Sequence, residues 1–324
     1  MALDPHVRRF LDMMALGRSG TPDVAARRDG LRALAALAGP APTGVATRDL
    51  VLPGPAGPVA ARLYAPETGD KGGGDKGGGD KGVGGSGAGL LFLHGGGLTT
   101  GGLDTHDGIC RTLAAAGGLS VVAVDYRLAP EHPFPAALED ARAALAWTAA
   151  HAPALGIDPA RLAVGGDSAG AGLAALLCQE ARGAGPRIAA QLLICPVLDL
   201  EGAGPSRTAF ASGYFLDIAT IGRDARACGL VGPGAARFAP LRTADLTGLP
   251  PAHIHTAACD PVRDDGTAYA ERLRGAGVPA ALTCHAGMIH FFYGLGRLVP
   301  RARPILAGMA ADFAGLLTES RAAA

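Results

Sequence analysis

The sequence has no excess of one charge and no long apolar run. Its 29 basic residues balance 29 acidic ones, so we expect no general attraction to nucleic acid or to an anionic membrane surface. No apolar stretch reaches the roughly 20 residues of a membrane-spanning helix. The first ten residues, MALDPHVRRF, place charges and a proline where a secretion signal has apolar residues. This predicts a cytoplasmic location.

Cysteine is scarce and forms no recognisable motif. None of the six cysteines stands in a C-x-x-C or zinc-ligand spacing, which argues against a metal site. Free cysteines in apolar segments behave as small core residues, so we expect buried, reduced thiols. The six are Cys110, Cys178, Cys195, Cys228, Cys259 and Cys284.

The chain begins with helical patterns and then turns to strands. In PHVRRFLDMMAL the apolar residues recur at helical spacing, and a second helical pattern ends at Gly39 and Pro40. Two strand patterns follow, over 45–52 and 58–66. A repeat of Asp-Lys-Gly-Gly-Gly then fills 69–89. We expect this loop to be disordered, because glycine has much backbone entropy to lose and no side chain to pack.

From residue 90 onward, strand patterns alternate with helical ones. The run GLLFL is continuously apolar and LSVVAV is apolar apart from one serine, which is typical of strands buried on both faces. The alternation predicts an α/β fold whose mostly parallel sheet is covered by helices on both sides. Active sites in such sheets lie at the carboxyl ends of the strands. The motifs described next each follow a predicted strand.

The pentapeptide GDSAG, residues 166–170, follows the strand pattern LAV and opens a helical one. A serine hydroxyl needs an exposed position beside a base to act as a nucleophile, and a sharp strand-to-helix turn between small residues provides that position. The helix dipole also favours negative charge at this point. The context therefore indicates Ser168 as a nucleophile.

The tetrapeptide HGGG, residues 94–97, ends the strand pattern GLLFL. Acyl transfer needs backbone N–H groups that point at the developing oxyanion, and glycine lets a backbone approach the substrate closely. This pattern supplies one half of an oxyanion hole, and the amide that follows the nucleophile supplies the other. The candidate donors are Gly95, Gly96, Gly97 and Ala169.

A catalytic acid and then a histidine base must follow the serine, because the chain order of this arrangement is Ser, Asp or Glu, His. Asp260 comes directly after the strand pattern AHIHTAAC, and His290 follows the next strand, in GMIHFF. The acid would hold the imidazole in the correct tautomer and stabilise the imidazolium that forms.

Competing residues stand near each position. Asp264 and Asp265 begin a helical pattern and are better suited to capping its N-terminus. His285 ends a strand pattern and is a weaker candidate for the base than His290. His253 and His255 lie inside a strand pattern and are predicted to be packing residues.

One further loop follows the strand LSVVAV. The segment DYRLAPEHPFP, residues 125–135, contains three prolines and several charged residues. This composition predicts a rigid structural brace near the site, without a chemical role of its own.

The motifs HGGG, DYRLAPEHPFPAA, GDSAG, DPVRDDG and GMIH, in this order, resemble the hormone-sensitive-lipase-like family of esterases, bacterial family IV. The resemblance runs from about residue 90 to the C-terminus, and the GDSAG form matches the branch with aspartate before the nucleophile. It implies an α/β-hydrolase fold with a mostly parallel eight-stranded sheet and a helical cap. It also implies that Ser168, Asp260 and His290 form the triad. The implied oxyanion donors are Gly96, Gly97 and Ala169, with Gly95 as an alternative to Gly97.

The resemblance also implies how the chain is divided. Residues 1–45 would form cap helices, and 46–324 the catalytic domain with a cap insertion at about 203–235. The pocket is expected to lie under the cap, although ordinary cap packing explains its candidate residues equally well. Two departures from the family pattern affect its shape, because Leu98 replaces an aromatic residue and Phe291 replaces a glycine. The pocket candidates are Phe10, Met13, Met14, Leu98, Tyr214, Phe215, Leu216 and Phe291.

These residues predict a carboxylic ester hydrolase that forms an acyl-enzyme and needs no cofactor. The resemblance favours short to medium acyl chains in a small-molecule ester substrate, and a homo-oligomer is possible. An amidase or deacetylase with the same triad is one alternative. A non-catalytic small-molecule receptor on this fold is another, which the presence of all three triad residues disfavours.

Overall fold

One mixed sheet of eight strands organises the protein. The computed structural model describes residues 2–16, 22–67 and 87–322. The strands lie in the order β1-β2-β4-β3-β5-β6-β7-β8. They are β1 (Val45–Gly54), β2 (Gly57–Pro66), β3 (Gly87–Leu93), β4 (Ser120–Asp125), β5 (Ile157–Asp167), β6 (Gln191–Ile194), β7 (Ala252–Cys259) and β8 (Ala280–Ile289).

The sheet is antiparallel only at one edge. Strands β1 and β2 form a hairpin, and β2 pairs antiparallel with β4. Every pair from β4 through β3 and β5 to β8 is parallel. The carboxyl ends of β3, β5, β7 and β8 therefore meet along one edge, which confirms the predicted fold class.

Alternating side chains of the central strands enter two separate cores. In β3, Leu91 and Leu93 belong to one apolar cluster, whereas Leu90 and Phe92 belong to the other. All four are fully buried. A strand covered on both faces needs apolar residues at every position, which is why these strands appear as continuous runs in the sequence.

Helices cover both faces of the sheet. Residues of α4, α5 and α8 join the first core, and residues of α1, α3 and α9 join the second. In the part of the chain that the structure describes, no helix is long and apolar enough to span a bilayer. The helices are α1 (Pro5–Leu16), α2 (Val24–Ala35), α3 (Leu103–Gly117), α4 (Ala136–His151), α5 (Ala169–Ala181), α6 (Pro205–Ala209), α7 (Ile218–Ala227), α8 (Arg263–Gly275) and α9 (Ala302–Ala322).

The prediction of a disordered loop over 69–89 is wrong for its last three residues, 87–89, which belong to β3. Gly87 and Gly89 lie in β3, where Gly89 pairs with both Ser120 and Leu162. A side chain at Gly89 would collide with Ile157, which explains why glycine occurs inside this strand. The rest of the predicted loop lies outside the described residues.

Candidate active site

Ser168 occupies a tight turn between β5 and α5. Its φ of 54° is rare for a residue with a side chain, and α5 begins at the next residue. A Cβ at Gly166 or Gly170 would collide with the carbonyl oxygen of Leu93, at the end of the adjacent strand. The two glycines therefore let the turn pack against β3, and they explain the spacing of the GDSAG motif.

Ser168, His290 and Asp260 form a continuous chain of hydrogen bonds. His290 Nε2 lies 2.9 Å from Ser168 Oγ, and His290 Nδ1 lies 2.7 Å from Asp260 Oδ2. The other carboxylate oxygen of Asp260 accepts the amide of Val262 at 3.0 Å. All three side chains are buried, Asp260 completely. A neutral imidazole with its proton on Nδ1 is oriented to accept the serine proton at Nε2.

The carboxylates of Asp264 and Asp265 accept hydrogen bonds from backbone amides of other segments and do not cap α8. Asp264 Oδ2 accepts the amide of Ser206 at 2.7 Å, and Asp265 Oδ2 accepts the amides of Leu198 and Asp199 at 3.1 and 3.3 Å. The capping prediction is thus wrong. Asp265 therefore holds the segment between β6 and α6, and Asp264 holds the first turn of α6.

The competing histidines contact one another and the core, which agrees with the packing role predicted for His253 and His255. His285 Nε2 is 3.2 Å from His255 Nδ1, and the two rings stack at 5.4 Å. His253 packs edge-on against Phe313. Burial lowers the pKa of His255 to about 3 and that of His285 to about 4. These neutral rings have a structural role.

The low pKa of His255 makes the protein less stable in acid. Its pKa rises to about 6.5 on unfolding, so the unfolded state binds the extra proton and stability falls as the pH drops below 6.5. His255→Phe is expected to reduce the loss of unfolding free energy between pH 7 and pH 5 by about 1–2 kcal/mol. Urea unfolding at the two pH values measures this. The exposed His132→Phe serves as control, and equal losses in both variants would contradict the prediction.

Two amides of the HGGG loop are left without a hydrogen-bond partner in the described structure, and that of Gly95 is not one of them. The Gly95 amide donates to Asp167 Oδ1 at 2.8 Å, so the prediction of Gly95 as an oxyanion donor is wrong. Among the described residues, the amides of Gly96, Gly97 and Ala169 have no hydrogen-bond partner. The φ angles of Gly96 and Gly97, 120° and 66°, favour glycine.

The aspartate that precedes the nucleophile anchors this loop. Asp167 is fully buried, and it accepts Tyr293 OH at 2.8 Å as well as the Gly95 amide. His106 Nε2 lies 3.2 Å from its Oδ1. Burial alone would raise the pKa of this carboxyl, but His106, Tyr293 and Gly95 together lower it below its usual value. No local sequence pattern marks His106 or Tyr293, because their contacts with Asp167 form only in three dimensions.

The loop after β4 braces the site, as predicted. Tyr126 OH donates to the carbonyl oxygen of His94 at 2.6 Å, and the two rings stack at 4.2 Å. The amide of Ala129 donates to Leu98 at 2.8 Å. Arg127 pairs with the buried Asp140 at 2.9 Å, which fixes the loop to α4. The loop thereby supports both ends of the HGGG segment.

A second set of contacts ties the HGGG segment to α2 and α7. Arg27 of α2 donates two hydrogen bonds to Asp224 of α7, at 2.6 and 2.9 Å. Asp224 also accepts Thr99 Oγ1 at 2.9 Å. Arg28 donates to the carbonyl oxygen of Thr99 at 2.9 Å and pairs with Glu131 at 2.7 Å. Both helices are therefore fixed to the turn that follows the glycines.

A cavity of about 690 Å³ lies between these helices and Ser168. It reaches the predicted pocket residues Met13, Met14, Leu98, Phe215, Leu216 and Phe291. Phe10 and Tyr214 are not among its lining residues, so these two pocket predictions are wrong. Phe10 is buried against Phe215, with 5.7 Å between ring centroids, and Tyr214 packs edge-on against Phe210 at 4.9 Å.

Phe291 lines the cavity together with His290. It adopts a φ of 63°, and its ring stacks with that of Phe215 at 6.1 Å. His106 and Tyr293 meet the same ring edge-on, at 6.0 and 5.4 Å. The Phe291 ring thus contacts Phe215, which precedes α7, and also the two side chains, His106 and Tyr293, that contact Asp167.

Cys195 lies next to the acid and base. Among the described residues, Cys195, Asp260 and His290 form the one group of three potential metal ligands, with their ligand atoms within 4.8 Å of one another. Both ring nitrogens of His290 already face Asp260 and Ser168. The hydrogen-bonded triad accounts for this grouping without a metal ion.

Known proteins that resemble this chain are ester hydrolases. A sequence model of the alpha/beta hydrolase fold matches residues 90–294. Esterase LipI of Mycobacterium tuberculosis is 40% identical over 306 residues, which cover 93% of this chain and 91% of that protein. Ethyl acetate hydrolase of Pseudomonas putida is 36% identical, with 93% and 95% covered. The solved hyperthermophilic esterase of the archaeon Pyrobaculum calidifontis superposes with a TM-score of 0.87 at 33% identity, over 98% of this chain and 99% of that one.

Proposed function

The chain belongs to the α/β-hydrolase family, as a carboxylesterase of its hormone-sensitive-lipase-like branch, and we propose that Ser168, Asp260 and His290 are its catalytic triad. The observation that supports this assignment is the hydrogen-bond chain from Ser168 Oγ through His290 to Asp260, at 2.9 and 2.7 Å. We further propose that α1, α2 and the segment 203–235 form a cap over the cavity.

The proposed reaction begins with transfer of a proton from Ser168 to His290. The serine oxygen attacks the ester carbonyl, and the C–O double bond becomes a single bond to an oxyanion. The amides of Gly96, Gly97 and Ala169 donate hydrogen bonds to that oxyanion. Asp260 stabilises the imidazolium, which then gives its proton to the leaving alcohol as the tetrahedral centre collapses.

Deacylation repeats these steps with water in place of the serine. His290 accepts a proton from the water, and the resulting hydroxide attacks the acyl-serine carbonyl. The same amides stabilise the second oxyanion. Collapse returns the proton from His290 to Ser168 and releases the carboxylic acid.

We propose short to medium acyl chains as substrates. The similarity to an ethyl acetate hydrolase supports this, and so do the rings of Phe215 and Phe291, which line the cavity near His290. The cytoplasmic location and a homo-oligomeric state stay predictions.

Two measurements test the proposal. A p-nitrophenyl alkylphosphonate is expected to label Ser168 with one equivalent of phosphonyl group and to abolish hydrolysis, and peptide mass spectrometry locates the label. Hydrolysis of p-nitrophenyl acetate, butyrate, octanoate and palmitate is expected to decline toward palmitate, because the rings of Phe215 and Phe291 occupy the cavity wall near His290. Label on another residue would refute the nucleophile, and a preference for palmitate would refute the chain-length range.

The same assay distinguishes an amidase. An arylamide series with matched acyl groups is expected to react far more slowly than the esters, since amide leaving groups need protonation before they depart. Arylamides that react as fast as the esters would favour the amidase or deacetylase alternative.

A further inference from the structure

Five aspartate or arginine side chains line the described cavity, and three of them, Arg27, Asp167 and Asp224, have partners that compensate for their burial. Arg27 and Asp224 form a bidentate pair with each other, at 2.6 and 2.9 Å. Asp167 accepts hydrogen bonds from Gly95 and Tyr293. Charges that are removed from water remain favourable only with such partners. An unpaired charge in this wall therefore needs an explanation.

Arg223 of α7 is such an unpaired charge. It is half-buried and lines the cavity. Its guanidinium donates a hydrogen bond to Thr220 Oγ1 at 2.6 Å, whereas its buried Nε has no partner. Within 2–16, 22–67 and 87–322, no carboxylate forms an ion pair with it. Asp217 also lines the cavity, but its Oδ1 accepts the amide of Thr220 at 2.6 Å and caps α7.

We propose that Arg223 binds a carboxylate of the substrate. A guanidinium offers five N–H donors in a planar fork that matches a carboxylate, and among the described residues that of Arg223 donates to the neutral hydroxyl of Thr220. The substrate class would be esters that also carry an ionised carboxyl group. These are half-esters of dicarboxylic acids, or acylated hydroxy acids. This inference rests on the proposed function, because the ester must reach Ser168 in the same cavity.

The position of Arg223 on α7 suits this role. The next residue, Asp224, accepts Thr99 Oγ1 and so fixes α7 against the turn that follows the glycines. Thr220, one helical turn earlier, also lines the cavity and holds the guanidinium. The helix that is fixed to the HGGG segment therefore presents a cation to the same cavity that Ser168 lines.

Matched pairs of esters test the inference. Monoethyl succinate and ethyl butyrate differ mainly in a carboxylate on the acyl side, and O-acetyl glycolate and propyl acetate differ similarly on the alcohol side. Arg223→Met is expected to lower kcat/KM for at least one ionised ester by about tenfold or more, mainly through KM, because a charge-assisted hydrogen bond is lost. The neutral esters are expected to change by less than about threefold.

Two control variants accompany the test. Arg226→Met removes an exposed cation from the same helix, and it is expected to leave all four rates nearly unchanged. Arg223→Lys keeps the charge and is expected to restore part of the loss. The inference is overturned if Arg223→Met slows ionised and neutral esters equally, if it slows neither, or if the wild type rejects both ionised esters. Turnover of the neutral esters reports separately on the proposed function.

Discussion

Ser168→Ala and His290→Ala are each expected to lower kcat for p-nitrophenyl butyrate by about 10⁴-fold or more. In the proposed mechanism Ser168 Oγ supplies the bond-forming oxygen, and His290 Nε2, 2.9 Å away, deprotonates it. Because the two groups act as a unit, the double variant is expected to be about as slow as either single one. Steady-state rates, corrected for spontaneous hydrolysis, measure the effect.

His285→Ala provides the matched control for the base. His285 comes five residues earlier in the chain, but its ring contacts His255 and Phe292. The variant is expected to keep kcat within about threefold, since surrounding packing contributes little to the chemical step. A loss as large as that of His290→Ala would transfer the role of base to His285. Unchanged activity in Ser168→Ala would refute the mechanism as a whole.

The triad could be predicted because its geometry follows from chain order. Ser168, Asp260 and His290 each come directly after a strand, and strands buried on both faces are visible as apolar runs. Parallel strands bring their carboxyl ends to one edge, so residues that follow them converge without any further information. The alternating core of β3 was predictable for the same reason.

Other contacts were not predictable, because they depend on side-chain direction and on long-range pairing. The Gly95 amide donates a hydrogen bond to the carboxylate of Asp167, 72 positions further along the chain. No local sequence pattern indicates that pair. Tyr214 and Phe215 are neighbours in sequence, yet only Phe215, at a φ of 75°, lines the cavity. Asp264 stands in the first turn of α8, but its Oδ2 accepts the amide of Ser206 and its Oδ1 accepts Arg263 Nε.

Asp167→Ala is expected to lower the free energy of unfolding by about 3–5 kcal/mol, because it leaves several buried polar groups without a partner. The carboxylate receives the Gly95 amide and Tyr293 OH, both at 2.8 Å, with His106 at 3.2 Å. The pKa of Asp167 is lowered in the folded protein, so the ionised carboxylate stabilises the fold at neutral pH. This contribution is lost only as the pH falls through the pKa that Asp167 has in the folded state. Urea unfolding at pH 7 measures the change.

Two further variants separate the buried charge from an ordinary ion pair. Asp167→Asn retains an acceptor for Gly95 but not the charge, and it is expected to lose less stability than the alanine variant. Asp49→Ala removes an exposed carboxylate that pairs with Arg62, and it is expected to leave stability nearly unchanged.

Because Asp167 orients the segment that carries the Gly96 and Gly97 amides, kcat in Asp167→Ala is expected to fall at least about tenfold. Equal stability of Asp167→Ala and Asp49→Ala would contradict the anchoring role, and unchanged kcat would separate it from catalysis.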